Sequence, residues 1–112
     1  MMNAIESIVA ERKRQIEGYG WNVEKDDQYT EGQLARAGGI YALVAGANAT
    51  DYRNAIGGYS MNDYLRTVLD HYWPFDRSWW KPTNRRRDLV KAGALIVAEI
   101  ERLDRAKARE SK

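Results

Sequence analysis

A segment in the last third of the 112-residue chain holds the side chains best suited to bind a ligand. It reads WPFDRSWWKPTNRRR from Trp73 to Arg87 and contains three of the four tryptophans and both prolines. Indole faces stack on planar rings, and Lys and Arg donate hydrogen bonds to anionic oxygen atoms. The first N–H groups of a helix also attract anions, so a helix beginning after Asn84 would add to such a site. The segment therefore favours a planar, anionic ligand such as a nucleotide.

Seven residues form the candidate ligand-binding set. They are Tyr29, Trp79, Trp80, Lys81, Arg85, Arg86 and Arg87. The aromatic members would stack on a base, and the cationic members would bind phosphates. The alternative is structural, because aromatic rings in a proline-bounded loop often cover the open end of a helical bundle. Three successive arginines at a helix start oppose the helix dipole, so they need an anionic partner: Asp88, an acidic turn, a ligand or another subunit.

The acidic turn lies earlier in the chain, where Glu24, Asp26 and Asp27 stand close together before a predicted helix. Asp26 and Asp27 could hold a divalent cation through carboxylate oxygens. The alternative is that they bond backbone groups of the turn and interact with the dipole of the following helix. The next helix offers no matching pair of carboxylates, so the sequence assigns neither a metal nor any other cofactor.

His71 is the only histidine, and it follows Asp70. A histidine beside a carboxylate could act as a general base, because its pKa lies near neutrality. The chain has no cysteine, however, and no serine in a recognisable nucleophile setting. A histidine that interacts with a helix end is the structural alternative. The sequence therefore favours a protein without catalytic activity.

An all-α nucleotide pyrophosphohydrolase is the enzymatic alternative, and it would need carboxylates on facing helices. The acidic residues of the last predicted helix alternate with arginines, in the order Glu99, Glu101, Arg102, Asp104 and Arg105. Such alternation is typical of a solvated helix face. The sequence does not provide the cluster that this reaction requires.

Size and composition indicate one domain over residues 1–112, with 44% hydrophobic and 30% charged residues. A net charge of +2 is too small to indicate nucleic-acid binding. Without cysteine the chain forms no disulfide and no thiolate metal site. No apolar run approaches the ~20 residues that span a bilayer. Charges interrupt the N-terminal segment where a signal peptide needs apolar residues, so we expect a cytoplasmic protein with no membrane partner.

Apolar periodicity predicts an all-α domain, a small bundle of about four helices. The helices cover roughly 3–17, 30–44, 60–72 and 84–105, with a frayed tail from about residue 106. Asn3 is a plausible N-cap, and Thr30 with Gln33 resembles a capping box. Residues 46–59 have the weakest pattern and are expected to form a loop or a short helical turn. The adjacent Gly38 and Gly39 weaken a helix, so we expect a packing or ligand-related reason for them.

Three pieces of the sequence resemble a family of small phage and prophage proteins. The C-terminal half resembles a WPWDxxWWKP segment followed by a helix similar to RRDLVKAGALIxAEIERLDR. The stretch AERKRQIEGYGW resembles an ERxRQxxxGW start, and EKDDQYTEGQL resembles an HDDxHxxGEL turn. The chain has Lys25 and Tyr29 where that pattern has histidines, and Gln33 where Glu is common. Residues 46–70 do not match the pattern.

The resemblance implies a phage origin rather than a particular activity. Small phage proteins of this size often act in counter-defence, by blocking a host protein or by sequestering a nucleotide signal. Together with the Trp- and Arg-rich segment, this leads to the hypothesis of a cytoplasmic, non-catalytic protein, acting as a homo-oligomer, that sequesters an anionic nucleotide. A protein-interaction module that inhibits a host protein is the alternative, since aromatic residues and arginine are also enriched in interfaces.

Overall fold

The computed structural model describes residues 2–18, 22–57 and 61–111. Within these ranges the regular structure consists of six α-helices and one 3-10 turn, Arg77–Trp79, and there is no strand. The helices are α1 (Ala4–Gly18), α2 (Val23–Asp26), α3 (Gln33–Ala45), α4 (Ala49–Gly57), α5 (Asp63–Tyr72) and α6 (Arg85–Glu110). The predicted all-α class is confirmed. The predicted number of about four helices is wrong, because α2 and α4 occupy stretches where the sequence predicts turns.

Side-chain caps explain where five of the helices begin. In the first turns of α1, α2, α4, α5 and α6 a backbone N–H donates to an asparagine Oδ1 atom at 2.8–2.9 Å, and the asparagines are Asn3, Asn22, Asn48, Asn62 and Asn84. The predicted cap at Asn3 is therefore confirmed. For α5 the cap is Asn62. The sequence predicts that Ser60 with Asp63 opens this helix, and Ser60 lies outside the described residues.

The predicted capping box at Thr30 and Gln33 is wrong. Helix α3 begins after Gly32, whose φ of 78° lies in the left-handed region, and no side chain caps this end. Gln33 instead accepts the backbone N–H of Glu31 at 2.7 Å. Glycine adopts this conformation at little cost, so the turn into α3 depends on Gly32 rather than on a hydroxyl group.

The core surrounds α3, which packs against the long helix α6 and against α4 and α5. One cluster joins α3 to α6, and it comprises Leu34, Ala37, Tyr41, Ala92, Leu95 and Ala98. A second joins α3 to α4 and α5, and it comprises Ile40, Val44, Tyr52, Leu65 and Leu69. The half-buried Trp73 and Trp80 pack against both clusters. Within the described residues, no helix combines the length and the apolar composition that crossing a membrane requires.

The two adjacent glycines of α3 differ in their surroundings. A Cβ added at Gly38 would lie 3.0 Å from the carbonyl oxygen of Ala92 and 3.3 Å from the Cβ of Leu95. A Cβ added at Gly39 would meet no described atom within 4 Å. Gly38 therefore lets α3 approach α6 closely, and packing explains this one of the pair.

We expect Gly38→Ala and Gly39→Ala to change stability in opposite directions. The first should lower the free energy of unfolding by about 1–2 kcal/mol, because the backbone of α6 must move to make room. The second should raise it by up to about 1 kcal/mol, because alanine favours the helix over glycine. Urea denaturation of both variants tests this, and an equal loss of stability in both would contradict the packing role of Gly38.

Helix α1 has its polar side against the protein. Its buried residues are Ser7, Glu11, Arg12 and Gln15, whereas Ile5 and Val9 are 70% and 63% exposed. Helix α6 also exposes apolar residues, and it is apolar on two sides. Its buried side carries mainly small residues, and its outer side carries the exposed Leu89, Ile96, Ile100 and Leu103.

An ion-paired cluster holds α1 and α2 to α6. Arg12 donates from Nη2 to Asp26 at 2.7 Å and from Nε to Glu101 at 2.9 Å. Arg12 is 6% and Asp26 is 1% exposed. Burial raises the pKa of Asp26 even though the hydrogen bond from Arg12 lowers it. Asp26 therefore helps to position α1 and α2.

The neighbouring Asp27 binds the C-terminal half of α6. It accepts from Arg105 at 2.9 Å and from Arg109 at 2.5 Å, and these hydrogen bonds hold its pKa below the ordinary value. Helix α6 continues to Glu110, so Arg109 lies within it. Closer to the middle of α6, Arg102 is buried and binds Glu99 at 2.6 Å, so these two residues do not belong to the predicted solvated face, whereas Glu101 and Asp104 are exposed.

Candidate functional site

Two of the predicted aromatic residues belong to an aromatic cluster. The ring of Trp80 lies 4.7 Å from that of Tyr41 and 5.3 Å from that of Trp73. Tyr29 packs edge-on against Phe75 with the ring centres 5.1 Å apart. We call residues 73–84, which connect α5 to α6, the irregular segment. Trp80 and Tyr29 thus hold the irregular segment against the core around α3, as the structural alternative expects.

Arg85 is separated from the other candidate cations by its contacts. Its Nη1 donates to the carbonyl oxygens of Ala45 and Ala47, at 2.5 and 2.8 Å, and its guanidinium lies 4.6 Å from the ring centre of Tyr52. Ala45 is the last residue of α3, so Arg85 serves that helix end, where carbonyl groups lack helical partners. This position assigns Arg85 a structural role.

Asp88 fixes the irregular segment to the start of α6. Its carboxylate is fully buried and accepts the hydroxyl of Tyr52 at 2.7 Å and the backbone N–H of Thr83 at 2.9 Å. Burial and the hydrogen bond to Asp88 raise the pKa of Tyr52. These bonds set the position of Thr83, two residues after Lys81.

Trp79 and Lys81 open onto a pocket of about 90 Å³ between α1, α3, α6 and the irregular segment. We call it the Trp79 pocket. It is lined by Glu11, Gln15, Tyr41, Trp79, Lys81, Lys91 and Leu95. Trp79 is 39% exposed, so an indole edge or face is accessible there. Trp79 also borders a second pocket, of about 200 Å³, together with Tyr29.

Two ammonium groups lie over the aromatic rings of the Trp79 pocket. The Nζ of Lys81 is 5.3 Å from the ring centre of Trp79, and the Nζ of Lys91 is 5.6 Å from that of Tyr41. Lys91 also donates to the carbonyl oxygen of Lys81 at 2.6 Å. Burial lowers the pKa of Lys91, with the nearby Arg87 acting in the same direction. An anion bound here would offset both effects.

Gln15 provides a hydrogen-bond acceptor at the same pocket. The residue is 3% exposed, and its Oε1 atom has no hydrogen-bond partner within the described part of the chain. A buried amide oxygen without a partner costs free energy, because it has lost its bonds to water. A ligand N–H group in the pocket would satisfy it.

The Trp79 pocket adjoins a basic surface through Glu11. A third pocket, of about 260 Å³, is lined by Arg14, Arg86 and Arg87, which we call the basic surface. It shares Glu11 with the Trp79 pocket. Arg87 donates to Glu11 at 2.5 Å, and Arg14 lies 3.6 Å from the same carboxylate. Arg86 donates to the hydroxyl of Ser7 at 2.9 Å. The lining contains three arginines and one carboxylate, so this surface is positively charged.

The structure thus brings together only part of the predicted set. Trp79, Lys81, Arg86 and Arg87 border the two joined pockets, whereas Trp80 and Arg85 are engaged elsewhere and Tyr29 borders the second Trp79-lined pocket. The sequence prediction missed Gln15, Lys91 and Arg14. The sequence does contain a signal for Gln15, because a polar helix face is marked by residues at four-residue spacing: Ser7, Glu11 and Gln15.

The carboxylates of the acidic turn and the histidine do not lie at this site. Asp26 and Asp27 bind arginines, and within residues 2–18, 22–57 and 61–111 no group of three His, Asp or Glu side chains is arranged to hold a metal ion. His71 is exposed in the last turn of α5.

The geometry is that of a binding site: a partly open indole, a buried acceptor and several fixed cations line two neighbouring pockets that share Glu11. The chain matches no protein-family model, no curated protein and no solved structure. The functional inference therefore depends on the site itself.

Proposed function

We propose that the protein binds and sequesters an anionic nucleotide without converting it. The base would enter the Trp79 pocket, and the phosphates would extend over Lys91 toward the basic surface. The resemblance to small phage proteins suggests the biological setting, which is counter-defence against a host that signals through nucleotides.

The observation that carries this proposal is that the Trp79 pocket and the basic surface lie next to each other and share Glu11. An isolated indole would fit many apolar ligands, and an isolated arginine cluster would fit any anion. Here Trp79 and the cations Lys81 and Lys91 share one pocket, and Arg14 and Arg87 lie across Glu11 from it. A ligand that has both an aromatic ring and negative charge uses both parts.

We expect Lys91→Gln to weaken nucleotide binding by roughly 10- to 100-fold, because one charge-assisted hydrogen bond is worth about 1.5–3 kcal/mol. Trp79→Ala should weaken it by about 10-fold or more through lost stacking. Calorimetric titration of linear and cyclic nucleotides measures both effects. Arg53→Gln is the matched control, since Arg53 is exposed on α4.

The same titrations separate sequestration from catalysis. After prolonged incubation with excess protein, the nucleotide should be recovered unchanged by chromatography. Failure of every nucleotide to bind at low salt would contradict the proposal. Binding with equal affinity in Lys91→Gln and wild type would contradict the assigned site.

A further inference from the structure

The outer face of α6 carries a row of large aliphatic side chains, which we call the α6 stripe. It consists of Leu89, Ile96, Ile100 and Leu103, which are 44–53% exposed. At about 100° per residue, these four side chains lie within about 60° of one another over roughly 21 Å of helix. A continuous apolar surface of this kind marks an interaction site more often than an ordinary monomer surface.

Helix α1 widens this surface. It packs on α6 at Gly93, where an added Cβ would lie 2.8 Å from Cδ1 of Ile8. Ile5 and Val9, close to Ile8 on α1, are also exposed. The six side chains are 44–70% exposed. About half of their surface is on the order of 600 Å², most of the ~800 Å² that each partner buries in a standard interface.

We propose that the α6 stripe pairs two copies of this chain, with α6 antiparallel to α6 of the second copy about a twofold axis near Ile96. Leu89 and Leu103 are each seven residues from Ile96. The axis therefore places Leu89 of one copy against Leu103 of the partner subunit. Antiparallel packing also sets the two helix dipoles in opposite directions, which is the favourable arrangement.

The charges beside the stripe fit the same axis. Arg86 and Asp104 are both exposed and both lie about 60° from Leu89 on the same flank of α6. The midpoint between them is residue 95, one residue from the proposed axis. Each Arg86 would thus come close to Asp104 of the partner subunit, whereas parallel packing would place the charged flanks of the two copies on opposite sides of the contact and form no such pair. One surface that carries both halves of this pairing fits a second copy of itself.

The proposed dimer leaves the nucleotide site accessible. Lys91 is two residues from Leu89, about 200° around the helix, and so lies on the opposite side of α6 from the stripe. Arg86 alone belongs both to the basic surface and to the proposed dimer contact. Nucleotide binding is therefore tested at Lys91 and dimerisation at Ile96, and the two proposals succeed or fail independently.

The mass of the full chain in solution tests the inference. Sedimentation equilibrium should give twice the 12.9 kDa chain mass, falling toward the monomer on dilution. Ile96→Glu and Ile100→Glu should each give a monomer with an unchanged circular dichroism spectrum. Tyr64→Glu, which alters a 67% exposed residue of α5, is the control and should stay dimeric. A monomeric wild type, or a dimer that survives Ile96→Glu, would overturn the proposal.

Cross-linking tests the orientation, because the chain has no cysteine of its own. With a short thiol-specific cross-linker, Ile96→Cys should form a covalent dimer with itself. Leu89→Cys should not, but a mixture of Leu89→Cys and Leu103→Cys should give a mixed dimer. Efficient self-cross-linking of Leu89→Cys would show parallel packing and overturn the antiparallel arrangement. Arg86→Asp and Asp104→Arg should each weaken dimerisation. The double variant, in which the two charges are exchanged, should restore it.

Discussion

Arg12→Met should lower the free energy of unfolding by about 3–5 kcal/mol, because it leaves Asp26 buried without its arginine. For a domain of this size, the melting temperature should fall by roughly 15–30 °C. Calorimetry or thermal circular dichroism measures the shift. Glu101→Gln is the control: the Glu101 side chain is 47% exposed, so losing its bond to Arg12 should cost less than about 1 kcal/mol.

The double variant Arg12→Met with Asp26→Leu identifies the cause. If the cost arises from one uncompensated charge, replacing both partners by apolar residues should recover most of the lost stability. The deficit of the single variant should also shrink at low pH. Without Arg12 the pKa of Asp26 rises further, and a raised acid pKa favours the folded state below that pKa and disfavours it above. A double variant as unstable as Arg12→Met would contradict this explanation.

Asp88→Ala should be the second costly change, at about 3 kcal/mol. It leaves the buried hydroxyl of Tyr52 and the part-buried backbone N–H of Thr83 without this acceptor. The loss at a buried group costs about 1–3 kcal/mol, and the loss at Thr83 costs less. Tyr52→Phe removes one hydrogen bond only and should cost about 1 kcal/mol.

Asp88→Ala should also affect the ligand site, because Thr83 no longer ties the segment that carries Trp79 and Lys81 to α6. We therefore expect weaker nucleotide binding even at temperatures where the variant is fully folded. Asp70→Ala is the control, since Asp70 forms an exposed ion pair with Arg77. Unchanged affinity in folded Asp88→Ala would show that Asp88 stabilises the fold without positioning the site.

Local signals predicted most of the helices. The asparagines at positions 3 and 84, followed by apolar periodicity, locate the starts of α1 and α6 to within about one residue. Helix α4 escaped prediction because it has only nine residues, ends at Gly57 and buries a single one, Tyr52. Short helices of this kind depend on tertiary contacts, which leave little trace in the local sequence.

Periodicity gave the spacing of apolar residues on α6 but not which side faces the core. The close approach of Gly38 to Ala92 selects the side with small residues. Ile100 then lies on the outer side, and Ile96 lies at the edge of the contact, with Cγ1 3.2 Å from a Cβ added at Gly38. The same limit applies to the arginines of α6. Arg87 pairs with Glu11, 76 residues away in the chain, and no local pattern indicates a pairing over that separation.

These long separations affect how the protein is made. Arg12 and Glu101 are 89 residues apart, so at about 5–20 residues per second the acceptor is synthesised on the order of 5–20 s after the arginine. During most of that interval Asp26 is already available to Arg12, but α1 lacks Glu101, and Gly93 is not yet there to pack against Ile8. Helix α1 can therefore reach its native position against α6 only after α6 has been synthesised, although α1 precedes α6 by most of the described chain.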